Sequence, residues 1–209
     1  MGVLVRSDSI ANLTPAGREA MVAYGITTVI DLRTDGELLR APNPCADNAG
    51  PVYRHLPLID DSMMVGLDEA SGMFDRYMWM LDGRPEAFRP IFETVASADG
   101  GVVFHCFAGK DRTGLVAALL LSLAGVPDAA IAADFAETDA QLAHRYQEWL
   151  AATAPERRSE MREELRCPPD RILGVLDHLR QRWGGVPGYL EEAGGLTPTT
   201  IDRLGSKLS

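Results

Sequence analysis

The run His105-Cys106-Phe107-Ala108-Gly109-Lys110-Asp111-Arg112-Thr113-Gly114 constrains this chain more than any other stretch, because of what lies on either side of it. Residues 101–104, Gly-Val-Val-Phe, read as a short buried strand bounded by Gly100. Residues 115–124 are nearly all apolar and end at Gly125, so they read as a buried helix. A strand, a glycine-bearing loop and a helix N-terminus together make an anion site. The loop amides and first helical N–H groups converge there, and the helix dipole favours negative charge. A cysteine at the base of such a loop has a stabilised, nucleophilic thiolate. An arginine at its far end offers a planar fork for two oxygens of a phosphate. Cys106 and Arg112 stand at those two ends with five residues between them, which points to phosphoryl transfer onto cysteine.

A lone cysteine between strand and helix is ordinarily a small buried hydrophobe. Here His105, Gly109, Arg112 and Thr113 surround it in the places a phosphate loop requires, and the bland reading gives way. A nucleotide-binding glycine loop is excluded as well. Gly109-Lys110 is followed by Asp111 rather than Ser or Thr, and Phe104 stands where the first glycine would be.

Composition bounds the rest. A chain of 209 residues, 46% hydrophobic and 24% charged, suits one globular domain with a sizeable core. No apolar run is long enough to cross a bilayer and no signal peptide is evident, so no integral membrane segment and a cytoplasmic location are expected. Cys45, Cys106 and Cys167 are too widely spaced for a disulfide framework or a zinc site, and a catalytic thiolate suits a reducing compartment. Cys45 and Cys167 read as inert. The net charge of −10 makes nucleic acid and acidic membrane surfaces poor partners. It does not forbid a phosphorylated substrate, because Lys110, Arg112 and the loop amides act locally.

Thr14-Pro15 reads as an N-cap with proline at the first helical position, closed by Gly25. Residues 27–32 read as a buried β-branched strand, and Thr34-Asp35-Gly36-Glu37 as a capping box. Turns at Asn43-Pro44 and Gly50-Pro51 precede a half-buried strand over residues 52–56. Strands separated by helices imply an α/β fold, a partly parallel central sheet with helices on both faces and a helical C-terminal half. Residues 60–83 carry Met63, Met64, Met73, Met78 and Met80, with Phe74, Tyr77 and Leu81 at helical spacing. They read as a helix packed on the body, with a methionine-rich cover over the loop as the competing reading. Ile131, Phe135, Leu142, Tyr146 and Trp149 form one apolar stripe, and Ile172, Leu176, Leu179 and Trp183 another; both are assigned to the core.

The loop matches the His-Cys-x5-Arg-Ser/Thr signature of the cysteine phosphatases. Its fuller Ala-Gly-Lys-Asp-Arg-Thr-Gly form resembles the bacterial tyrosine-protein phosphatase family, in particular the mycobacterial protein tyrosine phosphatase B group. Val5-Arg6-Ser7-Asp8, Gly25 to Arg33, His55-Leu56-Pro57-Leu58 with Asp60, and Tyr189-Leu190 with Gly194 and Leu196 are similar to further blocks of that group. The resemblance implies a single phosphatase domain over residues 1–209, which starts almost at the Arg-Ser-Asp block and lacks part of the family's N-terminal segment.

On this reading Cys106 is the nucleophile and forms a phosphocysteine that water hydrolyses. Arg112 and the N–H groups of Phe107, Ala108, Gly109 and Lys110 hold the equatorial oxygens, where charge is stabilised in a loose transition state. His105 orients the loop, Thr113 donates to the thiolate, and Gly109 lets the backbone approach the phosphate. The general acid is Asp111, which the resemblance favours, or Asp60 from a neighbouring loop. Lys110 resembles the loop lysine of tensin-like lipid phosphatases. With no phosphotyrosine clamp evident, broad or dual specificity is expected over strict phosphotyrosine use: phosphotyrosine, with phosphoserine, phosphothreonine and phosphoinositides left open. Inorganic phosphate or vanadate is the expected ligand; no cofactor or metal is expected. A rhodanese-like sulfurtransferase, suggested by Val29-Ile30-Asp31-Leu32-Arg33 with Glu37, and a non-catalytic phosphate-binding module are the alternatives.

Overall fold

The computed structural model describes residues 4–47, 49–69 and 72–208. Strand β1 (Leu4–Ser7) leads through α1 (Pro15–Ala23) to β2 (Ile26–Asp31), and α2 (Asp35–Arg40) leads on to β3 (Val52–His55). Helices α3 (Asp61–Glu69), α4 (Met73–Gly83) and α5 (Phe88–Ser97) precede β4 (Gly101–His105). The remainder is helical: α6 (Asp111–Leu123), α7 (Asp128–Gln141), α8 (Ala143–Ala152), α9 (Arg158–Leu165), α10 (Pro169–Trp183), the short α11 (Val186–Gly188) and α12 (Pro198–Leu208).

The strands form one sheet in the order β1-β4-β2-β3. The sequence implies a partly parallel sheet; every described pairing is in fact parallel. This order places β4 centrally, so the loop leaving it is flanked by the C-terminal ends of β1 and β2. Ligands of open parallel sheets bind in that position. β1 escapes a pattern reading because it is an edge strand of four half-buried residues.

Strand alternation sorts the core onto two faces. Val102 and Phe104 of β4 and Ile30 of β2 join the large core, with Leu115, Leu119, Ile172 and Leu176 from the helices. Val103 and Val29 point the other way, into a smaller cluster with Ile10, Ile26 and Cys45, against which Leu13 and Met21 pack. Both faces are covered, so β4 reads as a continuous apolar run rather than an alternating one.

The local signals act as expected. Thr14 accepts the Gly17 N–H at 3.1 Å ahead of Pro15, and Gly25 leaves α1 with φ 96°. Thr34 and Glu37 form a complete capping box on α2. Residues 60–83 make two helices rather than one. Tyr77, Met80 and Leu81 enter the core from α4, which agrees with packing on the body. The stripe from Ile131 to Trp149 also divides, because the chain breaks at Leu142 between α7 and α8. Ile131, Phe135 and Leu142 are buried, whereas Trp149 turns to the loop after β4. Among the described residues no helix is long and apolar enough to cross a membrane.

Candidate active site

Cys106 follows the last residue of β4 and is 2% exposed; Arg112 lies in the first turn of α6 and is 8% exposed. The intervening loop ends at a helix start whose first N–H groups have no intrahelical acceptor. Arg112 does not hang free over it. Its Nη1 and Nη2 donate to Glu37 Oε2 and Oε1 at 2.5 and 2.8 Å. Burial opposes charge on both partners, but the hydrogen bonds and mutual attraction prevail. The Glu37 carboxyl is held below its ordinary range and the guanidinium above its own. The remaining N–H groups of Arg112, Nε–H among them, stay available for phosphate oxygens. The sequence marks Glu37 as a capping-box residue and as part of the rhodanese-like block; its grip on Arg112 depends on a contact 75 positions away along the chain.

His105 is fully buried at the end of β4. Asn43 Nδ2 donates both to Asp31 Oδ2 at 2.9 Å and to His105 Nε2 at 3.0 Å. That assigns the imidazole its Nδ1–H tautomer, with Nδ1 donating to the Cys106 carbonyl at 3.1 Å. Burial pushes the His105 pKa down against the pull of Asp31, so the ring is a neutral strut at the loop entrance. Asp31 also takes Arg33 Nε at 2.9 Å and Nη2 at 2.7 Å, with both residues at 0% exposure. Burial raises the Asp31 carboxyl, yet the hydrogen bonds from Arg33 and Asn43 and the attraction of the Arg33 guanidinium outweigh it and bring the pKa to about 2.

Gly109 adopts φ +68°, and a Cβ there would stand 2.5 Å from the Ser7 carbonyl oxygen and 2.7 Å from the Asp8 nitrogen. Its bareness is therefore also demanded by packing against the end of β1, not only by approach to phosphate. Arg6 Nη2 donates to the Gly109 carbonyl at 2.9 Å, which ties the loop to the edge strand. Ala108 and Gly109 border a cavity of about 460 Å³ with Arg6, Asp8 and Arg145. Phe107 is 47% exposed and stacks on Trp149 at 6.2 Å with Arg145 lying over both rings.

Lys110 does not extend its charge toward solvent. It is 4% exposed, and Nζ donates to the Glu164 carbonyl at 2.5 Å while standing 3.7 Å from Asp111 Oδ1. Thr113 is buried and its hydroxyl makes no hydrogen bond, so the expected donation to Cys106 is not formed here. Asp111 and Arg112 line a cavity of about 150 Å³ roofed by Met64, Met73, Arg76 and Met80. The helix pair that packs on the body thus also covers the loop. Tyr77 donates to Asp111 Oδ1 at 2.5 Å.

Asp60 is engaged elsewhere. Its Oδ1 accepts Ser62 Oγ at 2.5 Å and the Met63 N–H at 2.9 Å, and Oδ2 lies 3.3 Å from Arg84. The Ser62 bond leads the effects that lower its pKa, and the residue acts as the cap of α3. Cys167 lies among Lys110, Asp111, Asp139 and Tyr146, and burial pushes its thiol up to about 12. That suits the inert reading although the sequence gives no sign that Cys167 is near the loop. Cys45 is buried in the smaller cluster and its thiol is likewise raised by burial.

Comparison with known proteins accords with this geometry. A sequence model of the tyrosine phosphatase family matches residues 1–209. A tyrosine-protein phosphatase of Nostoc commune is 33% identical over 98% of this chain and 73% of its own length. The triple specificity protein phosphatase PtpB of Mycobacterium tuberculosis is 30% identical over 97% of this chain and 89% of its own. The chain belongs to the tyrosine phosphatase family, and it is a phosphatase acting on phosphorylated substrate.

Proposed function

We propose that this member of the tyrosine phosphatase family hydrolyses phosphomonoesters through a phosphocysteine formed on Cys106. The observation that carries the reading is the meeting of Cys106 and Arg112 at the β4–α6 turn, with the Arg112 fork preset by Glu37. The Cys106 thiolate attacks phosphorus as the bond to the leaving oxygen breaks, and Asp111 gives that oxygen its proton. Arg112 and the amides of Phe107, Ala108, Gly109 and Lys110 stabilise the equatorial oxygens. Water then attacks the phosphocysteine and yields its proton to Asp111; phosphate and the Cys106 thiolate are released. Asp111 is preferred to Asp60 because it borders the same cavity as Arg112, whereas Asp60 is occupied as a helix cap. Residues 1–209 work as one phosphatase unit, and thiolate chemistry suits a reducing compartment such as the cytoplasm.

Phosphotyrosine is the favoured substrate. The exposed Phe107 ring, backed by Trp149, gives the loop mouth an aromatic wall suited to an aryl ester. Likeness to a protein described as a triple specificity phosphatase supports a second reading, a range that takes in phosphoserine and phosphothreonine. Lys110, held by the Glu164 carbonyl, adds no free charge for a multiply phosphorylated inositol, which ranks phosphoinositides last.

The test is hydrolysis of p-nitrophenyl phosphate in chelator-treated buffer by the native protein and by Cys106→Ser. Turnover that vanishes in the variant and is blocked by vanadate is expected. Equal activity in both proteins overturns the mechanism.

A further inference from the structure

Asp111 is the first residue of α6, where a short carboxylate can swing between the helix N-terminus, the lysine before it and the cavity. One contact from outside the loop fixes it. Tyr77 of α4 is 0% exposed, its ring meets Phe135 edge-on at 6.3 Å, and its hydroxyl donates to Asp111 Oδ1 at 2.5 Å. Lys110 Nζ stands on the same oxygen at 3.7 Å. Both contacts therefore fall on Oδ1, and Oδ2 is left to carry a proton. Burial, then the Asp111 charge, drives the Tyr77 phenol well above its ordinary pKa, so it stays a donor throughout the working pH range. Phe135 in turn packs against Gly114 of α6, where a Cβ would lie 3.0 Å from the ring. The phenol is thus held by a ring of α7 that packs on the helix carrying the carboxylate.

We propose that Tyr77 is a positioning residue for the reaction: it turns Asp111 so that Oδ2 delivers the proton to the leaving oxygen. The inference rests on Asp111 being the proton donor. It makes protonation of the leaving group depend on the seating of α4, the helix that roofs the loop with Met73, Arg76 and Met80. A chain in which α4 is displaced keeps its nucleophile and its phosphate cradle but loses the acid's alignment.

The test uses leaving groups. Tyr77→Phe retains the buried ring and removes only the hydroxyl. Turnover is measured for an aryl phosphate with an acidic, fluorinated phenol and for phenyl phosphate, in native protein, Tyr77→Phe, Asp111→Asn and the double variant. The ratio of the two rates does not depend on the fraction of protein that is folded, so partial unfolding cannot imitate the result. Without general acid help the poorer leaving group suffers more. The ratio is expected to widen by about tenfold in Tyr77→Phe and by about a hundredfold in Asp111→Asn. In the double variant it should be no wider than in Asp111→Asn, because the phenol acts only through that carboxylate. Equal losses on both substrates in Tyr77→Phe, with a widened ratio in Asp111→Asn, overturn the role of Tyr77 alone. Independent widening in the double variant does the same. A native ratio in Asp111→Asn overturns the acid assignment and this inference with it.

Discussion

Glu37 grips Arg112 with both carboxylate oxygens, at 2.5 and 2.8 Å, while its Oε2 also accepts the Thr34 N–H at 2.8 Å. One side chain therefore closes the cap of α2 and presets the guanidinium of the phosphate loop. The arrangement explains how a nearly buried arginine can be rigid before substrate arrives. Its side-chain entropy is already lost, and its charge is balanced in a low-dielectric setting.

Replacing Glu37 by Gln separates the two duties. A glutamine still closes a capping box, but it removes the carboxylate charge with which the buried Arg112 is paired. Breaking a buried ion pair from one side costs about 3–5 kcal/mol. Calorimetry should show that loss, and kcat should fall by about tenfold or more as the fork loses its aim. Glu37→Ala should be less stable again by about 1 kcal/mol, through the lost cap. A Glu37→Gln variant with native melting and native kcat would contradict the presetting role.

Asp31 gives the fold an acid limit. Its carboxyl moves from an ordinary 3.8 to about 2, so the folded state holds the proton less tightly than the unfolded chain. The stability this supplies is fully present above the unfolded value and is lost as pH falls toward about 2. One such shift corresponds to about 2 kcal/mol. Denaturant titrations at a series of pH values from near 5 down to 2 measure it. Asp31→Asn should be destabilised at every pH, because Arg33 loses its buried partner, but its slope in that window should be shallower. An unchanged slope in the variant would assign the acid sensitivity to other carboxylates.

Asp60 should prove structural. Asp60→Ala removes the acceptor for the Met63 N–H and the Ser62 hydroxyl and so destabilises α3 by about 1 kcal/mol. The leaving-group dependence of turnover should remain native. A widened dependence in this variant would restore Asp60 as the acid.

The cysteine loop, the capping box and the strand before α6 were legible because each is a local pattern whose chemistry fits within a dozen residues. The family resemblance was readable for the same reason. What escaped was tertiary. Glu37 and Arg112 are far apart in sequence, as are Tyr77 and Asp111, and no periodicity marks a side chain that reaches across a site. Trp149 looked like one more position in an apolar stripe because a break at Leu142, between two helices, leaves the residue types unchanged while turning the face. Lys110 reads as charge acting on the phosphate because its acceptor is a backbone carbonyl, and carbonyls have no sequence signature.

Phe107 and Trp149 lead to a prediction about substrate. Phe107, next to the nucleophile in the loop, is left 47% exposed. Here the ring is stacked against Trp149 with an interplanar angle of 20°, and Arg145 caps the pair at 5.7 and 4.9 Å. That fixes its position, so an aryl ester meets a rigid wall rather than a mobile side chain. Stacking of this kind contributes about 0.5–1.5 kcal/mol beyond the area it covers. Phe107→Ala should therefore lower kcat/KM for a phosphotyrosine peptide by about tenfold, and the same peptide with phosphoserine by much less. Trp149→Ala should give a smaller loss in the same direction, because it frees the Phe107 ring without removing it. Assays on the paired peptides check both variants. If the two peptides lose equally in Phe107→Ala, the wall supports the loop instead of reading the ester, and aryl preference must come from the methionine-lined cavity on the other side.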